Sequence, residues 1–437
     1  MNKIVFIGNF VNDVILIHQD LVVDKEMSFQ DIVSLEKQMA YGNGTLQSNA
    51  TTAERITVAK ALGGSVTYGS LAATNFGSSK SYIVTSMGND IIPEFKQLIE
   101  RQSPNSIDLT YSSTDQNCKN TSYYLNYYNN KKNRNLSLME KGKNIDPIKS
   151  CEAINEVRPD AILFVPVSDE LDEELVIKVA QKIRDISTQS PGYCPVLAFD
   201  IQGFLRTFQG SKVTTRPKHI MIQKLISISQ AFSGLNIITV VKAEYGEAAA
   251  IMGDHDPATC ARLIRENFGF SIVSITMGGD GGFISSTLTG EIYIPTFKPT
   301  QVTDETGCGD TFLTCTVLEL LNTLKTKLLP NHFIDGACEN TQNTRDILKE
   351  RHFKADELLY CVQVGSAGAS FLVEQLGPNG FANRDSILDR VKNGTKQLKQ
   401  HYLQYNSPKN DEISYSTADQ SANSTKQKVF KSTTSYK

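Results

Sequence analysis

The stretch TDETGCGDTFLTCTVLELLNTL, Thr303 to Leu324, sets three small residues directly before an aspartate and a long apolar-periodic run. Leu313, Val317, Leu320, Leu321 and Leu324 recur at the spacing of one buried helix face, which predicts a helix from about residue 309. Gly307, Cys308 and Gly309 then lie at the helix N-terminus, where unpaired N–H groups and the helix dipole favour an anion. Two readings follow. Asp310 either caps the helix, as carboxylates commonly do, or stands as a proton acceptor at the rim of an anion hole. Phosphoryl transfer needs that second combination: donors for the equatorial oxygens and a base for the attacking hydroxyl. The stretch alone leaves both open.

Working outward, short β-branched and apolar runs recur at Ile4–Ile7, Tyr82–Thr85, Ala161–Val167, Val196–Ile201, Ile237–Val241 and Ser271–Ile275. Helical periodicity fills much of the space between them, at Glu173–Ile186, His219–Phe232, Pro257–Phe268 and Ala355–Gln375. Continuous apolar strands alternating with helices imply a parallel sheet covered on both faces, a three-layer α/β/α sandwich of Rossmann-like type. Residues 14–60 break the alternation, and residues 118–139 read as a hairpin around an Asn/Lys-rich turn. Together they predict a small second sheet, either a surface excursion or a lid. Residues 325–354 read as a surface insertion, and residues 404–437 as a disordered polar tail whose hydroxyls permit phosphorylation.

Bulk composition narrows the chemistry. With 437 residues, 40% of them apolar, the chain is long enough for one large α/β domain with insertions. A net charge of −3 without a long basic run argues against nucleic acid as a partner. The lack of a long uninterrupted apolar segment argues against a membrane span. The N-terminus enters a strand pattern at once, without a signal-peptide cleavage region. The eight cysteines, 118, 151, 194, 260, 308, 315, 338 and 361, contain no CxxC and read as reduced thiols of a cytoplasmic protein. Six histidines, none paired at metal-ligand spacing or near a GxSxG motif, give His-based hydrolysis little support. A GxxxxGK[ST] phosphate loop is absent, and no GxGxxG follows the first strand.

DETGCGDTF resembles the C-terminal D-T-x-G-A-G-D signature of the ribokinase-like PfkB family of carbohydrate and nucleoside kinases. The resemblance implies Asp310 as catalytic base and the Gly307, Cys308 and Gly309 amides as anion hole, with Glu305 and Cys308 at positions usually held by threonine and alanine. It also implies Thr306 on the nucleotide side. GNFVND resembles the N-terminal G-x-x-x-x-D, which makes Asp13 a partner of acceptor hydroxyls. ALGGSVTYGS resembles the GG-containing first signature, with Gly63 and Gly64 beside the acceptor and Tyr68 where a sugar-binding asparagine is usual. FDIQGFLR resembles D-x-Q-G-x-x-R and puts Arg206 at phosphate or acceptor.

SITMGGDGGFI resembles the nucleotide-side T-x-G-x-x-G, with Thr276, Gly278 and Gly281 in place. VVKAEYGEA resembles N-x-x-E, which implies Mg²⁺ held through water by Glu247, with Glu244 in the asparagine position. The combination looks most like the inositol-kinase-like branch. The family fold supplies a β lid, and a kinase domain over residues 1–403 follows. The resemblance thus implies an ATP- and Mg²⁺-dependent kinase acting on a hydroxyl of a small sugar or cyclic polyol, and allows a monovalent cation and a homodimer through the lid. Two alternatives stand beside it: a nucleoside kinase, and a non-catalytic metabolite-binding protein, the latter motivated by Glu244 and Tyr68.

Overall fold

The apolar runs that the sequence sets far apart lie side by side: Ile4 is in register with Ala161, and Leu197 with Thr239. The computed structural model describes residues 1–19, 55–91, 106–128, 133–190, 192–327 and 347–406. Its principal strands in chain order are β1 (Asn2–Ile7), β2 (Val11–Gln19), β3 (Arg55–Gly63), β4 (Ser79–Val84), β5 (Ile107–Asp108), β6 (Thr121–Tyr128), β7 (Asn133–Glu140) and β8 (Ala161–Phe164). They continue with β9 (Val196–Asp200), β10 (Arg206–Gln209), β11 (Lys212–Thr215), β12 (Thr239–Glu244), β13 (Ile272–Thr276), β14 (Gly282–Ser286) and β15 (Gly290–Ile294). The longer helices are α1 (Ser65–Phe76), α2 (Pro147–Val157), α3 (Glu173–Gln189), α4 (Lys218–Phe232), α5 (Tyr245–Met252), α6 (Pro257–Phe268), α7 (Cys308–Lys327), α8 (Ala355–Leu372) and α9 (Arg384–Asn393).

Nine strands form the main sheet in the order β15-β14-β13-β12-β9-β8-β1-β4-β5. The run from β13 to β5 is parallel, and β14 and β15 add an antiparallel edge. Side chains alternate across it. Val5, Ile7, Leu197 and Phe199 enter a core shared with α2 to α6, whereas Ile4, Phe6, Val196 and Ala198 enter one shared with α1, α7, α8 and α9. Both faces being covered is why these strands read as unbroken apolar runs and not as alternating ones. The sandwich has three layers, as the alternation of strands and helices predicts.

A second sheet of six strands, β10-β11-β7-β6-β2-β3, carries its own small apolar cluster of Val11, Ile15, Tyr123, Leu125, Leu138 and Val167. β2, β3, β6 and β7 account for the described parts of both segments that break the sequence pattern. The β10–β11 hairpin, just after FDIQGFLR, was not anticipated: its four-residue strands RTFQ and KVTT carry no apolar run and hold their place through antiparallel pairing. Much of 14–60, the 118–139 turn and most of the 325–354 segment lie outside the described residues, as does Cys338. Helix α7 continues to Lys327, so the first residues of that insertion are helical. Met1–Asn406 forms one compact unit, in which Tyr402 packs edge-on against Phe283 at 5.1 Å. The seven described cysteines are free thiols, and among the described residues no helix is long and apolar enough to cross a membrane.

Candidate active site

In parallel α/β sheets, ligands gather at the carboxyl ends of the strands, and here charge gathers there too. Asp200 closes β9, and Lys242 sits opposite it in register on β12. Lys242 Nζ donates to Asp200 Oδ2 at 2.9 Å, with the two side chains 7% and 2% exposed. Charged residues rarely enter buried strands without such a partner. Above this pair lies the start of α7. A Cβ added at Gly309 would stand 2.8 Å from Lys242 Nζ, so the absence of a side chain lets the ammonium reach the helix N-terminus. Gly307 has φ +78, and a Cβ there would fall 2.0 Å from the Tyr68 ring. The small-residue run is therefore a packing requirement as well as a row of donors. Gly307→Ala should destabilise the protein by about 1–3 kcal/mol or more, read as a lower midpoint in thermal unfolding.

Asp310 is the third residue of α7 and lies inside its first turn, which removes the N-cap reading. Its carboxyl lines a cleft together with Asp13, Gly64, Ser65, Tyr68 and Lys242. Burial, then the negative charge of Asp200, pushes its pKa up to about 7, against the opposing pull of Lys242, a Ser65 hydrogen bond and Arg206. For Lys242 burial disfavours the charged form, but Asp200, Glu247 and Asp310 outweigh it, so the ammonium titrates above its ordinary range. Burial first, then nearby carboxylates, keeps the Cys308 thiol protonated, so Cys308 contributes its backbone and not a thiolate.

The acceptor-side candidates converge on the same cleft. Val11 and Gly63 are register partners between β2 and β3, and Asp13 pairs with Ala61 two residues along. A Cβ on Gly63 would lie 1.7 Å from Asp13 Oδ2, so the glycine makes room for that carboxylate. Gly64, with φ +90, backs onto the Asn9 carbonyl. Tyr68 is buried, and burial followed by Asp13, Asp304 and Asp310 raises its hydroxyl well above the ordinary value, which keeps it a donor. Arg206 donates to the Val167 carbonyl at 3.0 Å and, among the described residues, forms no ion pair.

The nucleotide-side candidates form a separate group on the next strand. Thr276 ends β13 in register with Glu244 on β12, and its hydroxyl donates to the Ala243 carbonyl at 3.3 Å. Gly278 and Gly281 have φ +56 and +91 in the turn that follows, and a Cβ on Gly281 would meet the Ile294 carbonyl at 2.4 Å. Glu244 caps α5 by accepting from Gly246 N at 2.7 Å, and Glu247 Oε2 accepts from Glu244 N at 2.8 Å. The two carboxylates thus fix a helix end. Burial raises the pKa of Glu247, with Lys242 the main opposing influence. Thr306 belongs elsewhere. It lines the acceptor cleft, with its hydroxyl 3.0 Å from that of Tyr127 on the lid strand β6, and not the turn that holds Gly278 and Gly281. Its own backbone N–H is held by Asp304, which tips the residue toward the lid.

Residues 217–383 match the family described as pfkB family carbohydrate kinase. The whole architecture matches solved kinases of the ribokinase type. With the ribokinase of Giardia lamblia the TM-score is 0.60 at 12% identity, covering 90% of this chain and 99% of that one. With the Arabidopsis thaliana ribokinase complexed with ribose and ATP it is 0.55 at 14%, covering 90% and 99%. With the Methanocaldococcus jannaschii nucleoside kinase it is 0.52 at 14%, covering 90% and 98%. No curated protein matches the chain. The family match thus spans part of a chain whose fold is like that of the ribokinase-type structures.

Within this framework, the residues that sequence reasoning gave no role are Asp200, Lys242, Ser65 and Tyr127. Asp200 and Lys242 carry a visible signal: a charge inside the otherwise apolar strands VLAFD and TVVKAE. Ser65 and Tyr127 carry none, because a serine opening a helix and a tyrosine in a tyrosine-rich strand are unremarkable by type. Tyr127 donates to Asp304 Oδ1 at 3.1 Å, which ties the lid to the loop that leads into Gly307.

Proposed function

We propose that the chain is an ATP-dependent kinase that moves the γ-phosphoryl group to a hydroxyl of a small sugar or cyclic polyol. The observation that carries this reading is the Asp310 carboxyl, raised to about 7, in one cleft with Asp13 and the first turn of a 20-residue helix. A base poised near neutrality suits proton removal from an alcohol.

Asp13 and the exposed backbone of Gly63 and Gly64 orient the acceptor, and the Tyr68 hydroxyl donates where an asparagine amide is usual. Asp310 takes the proton of the attacking hydroxyl. The amides of Gly307, Cys308 and Gly309 hold the oxygens of the group in flight, and Lys242 beneath Gly309 adds a fixed positive charge. Arg206 reaches the acceptor or its new phosphate. Thr276, Gly278 and Gly281 take the nucleotide side. Each of the two carboxylates at the start of α5 retains a second oxygen, a hard donor set that fits hydrated Mg²⁺ held by Glu247 with Glu244. When bound, that ion supplies charge neutralisation at the phosphate oxygens. The lid sheet limits water, so the phosphoryl group goes to an alcohol.

ADP release measured with Mg²⁺ and ATP across inositols, simple sugars and nucleosides tests the reading. Turnover is expected with one inositol or sugar. Turnover confined to nucleosides would replace the acceptor class, and ATP binding without turnover on any acceptor would leave the non-catalytic alternative.

A further inference from the structure

A second cavity opens at the opposite end of the sheet and plays no part in the chemistry above. It is lined by the residues that lead into β8, β9 and β12, among them Arg158, Asp160, Tyr193, Cys194 and Ile238, and by Leu321, Leu324 and Lys325 of α7 with Arg351. From Asp310 to Lys325 the helix rises about 20 Å, so the cavity and the cleft occupy opposite ends of α7.

Its charge balance is unusual for a chain of net charge −3. Three cations, Arg158, Lys325 and Arg351, line it against one carboxylate, Asp160. That carboxylate is committed: Oδ1 pairs with Lys325 at 3.3 Å, and Oδ2 accepts from Lys3 N at 2.7 Å. Arg158 uses its Nε on the Asn155 carbonyl and has no acidic partner among the described residues. Arg351 lies beside Cys194 and likewise has none. The two guanidinium groups bear on adjacent residues, Arg158 on Tyr193 and Arg351 on Cys194. The Tyr193 hydroxyl is sealed from solvent without a hydrogen-bond partner. Burying a hydroxyl unpaired is costly, and the same cavity holds two arginines with no acidic partner among the described residues. Arg158 is held in the left-handed region at φ +51, where it ends α2, so its place is fixed by the backbone.

We infer that this cavity is a binding site for the phosphate group of a small metabolite, recognised by Arg158 and Arg351 beside Tyr193. A tetrahedral dianion can accept from guanidinium forks and neutralises the local excess of charge. The apolar wall of Leu321, Leu324 and Ile238 gives the rest of such a ligand a surface to lie on.

The chain contains no tryptophan, so Tyr193→Trp places a single indole in this cavity and keeps a donor at its edge. Inorganic phosphate titrated at constant ionic strength should change its fluorescence saturably, and chloride should not. Arg158→Gln and Arg351→Gln, each added to Tyr193→Trp, should weaken the response about tenfold or more. Neither arginine lines the Asp310 cleft, and an unchanged thermal-unfolding midpoint certifies the fold of these variants. Calorimetry of the unmodified chain gives a second route: phosphate binding should weaken with Arg351→Gln while ATP binding stays the same. A response that chloride reproduces, one that survives both arginine changes, or no saturable phosphate binding at all overturns the site. None of these outcomes bears on whether the distant cleft transfers phosphoryl groups.

Discussion

Asp310→Asn is expected to lower acceptor-dependent turnover by about 10²–10⁴-fold while leaving ATP binding in place and stabilising the fold above neutral pH. The loss follows from the removed proton acceptor, since asparagine keeps the volume and can still accept from Ser65. The gain follows from linkage. The carboxyl titrates near 3.8 in the unfolded chain and is raised to about 7 when folded, so the folded protein holds that proton more tightly. Stability therefore falls as pH rises from about 4 to about 7, and the penalty is complete above that range, on the order of a few kcal/mol. Asparagine carries no such penalty. The melting temperatures of the two proteins should coincide near pH 4 and diverge upward for the variant toward pH 8. Wild-type turnover should fall about tenfold per unit below pH 7, because only the carboxylate can accept. Unchanged turnover in the variant would remove Asp310 from the mechanism, and parallel melting curves would remove the raised pKa.

The main sheet was legible because both of its faces are buried: strands such as AILF and VLAFD have no polar side to confuse the reading. Their predicted ends differ from the observed ones by up to three residues, as at β12, where apolar pattern stops at Val241 but pairing continues through Lys242 to Glu244. That extension matters, since it carries the charged residues to the cleft. The lid was half legible. β6 and β7 read as a hairpin about their Asn/Lys-rich turn, whereas β10 and β11 are short and half exposed and owe their conformation to hydrogen bonds with each other and with β7. Within the cleft, positions requiring glycine announce themselves in sequence, and the structure supplies a steric reason for Gly63, Gly307 and Gly309. Which carboxylate faces which amine is a matter of strand register, and no local spacing in the chain encodes that β9 lies beside β12.

Lys242 offers the sharpest separation of structural from chemical roles. Lys242→Met removes one partner of a buried pair and leaves Asp200 uncompensated, at a cost of about 3–5 kcal/mol. It also removes the cation that holds Asp310 down, so the acidic limb of the pH profile should move upward by about one unit or more. Adding Asp200→Asn reverses both effects. The buried charge is gone, which restores the melting temperature, and the negative charge that adds to burial in raising Asp310 is gone with it, which brings the limb back toward its original position. What the second substitution does not return is positive charge beside Gly309, where a Cβ would stand 2.8 Å from the ammonium. The double variant is therefore expected to fold and titrate like the parent yet turn over about 10²-fold more slowly at its plateau. A plateau rate restored along with stability would make Lys242 a packing residue that serves Asp200 alone. A plateau still depressed in a protein of parental stability would place the ammonium among the groups that hold the phosphoryl group in flight, since proton removal by Asp310 would then be intact.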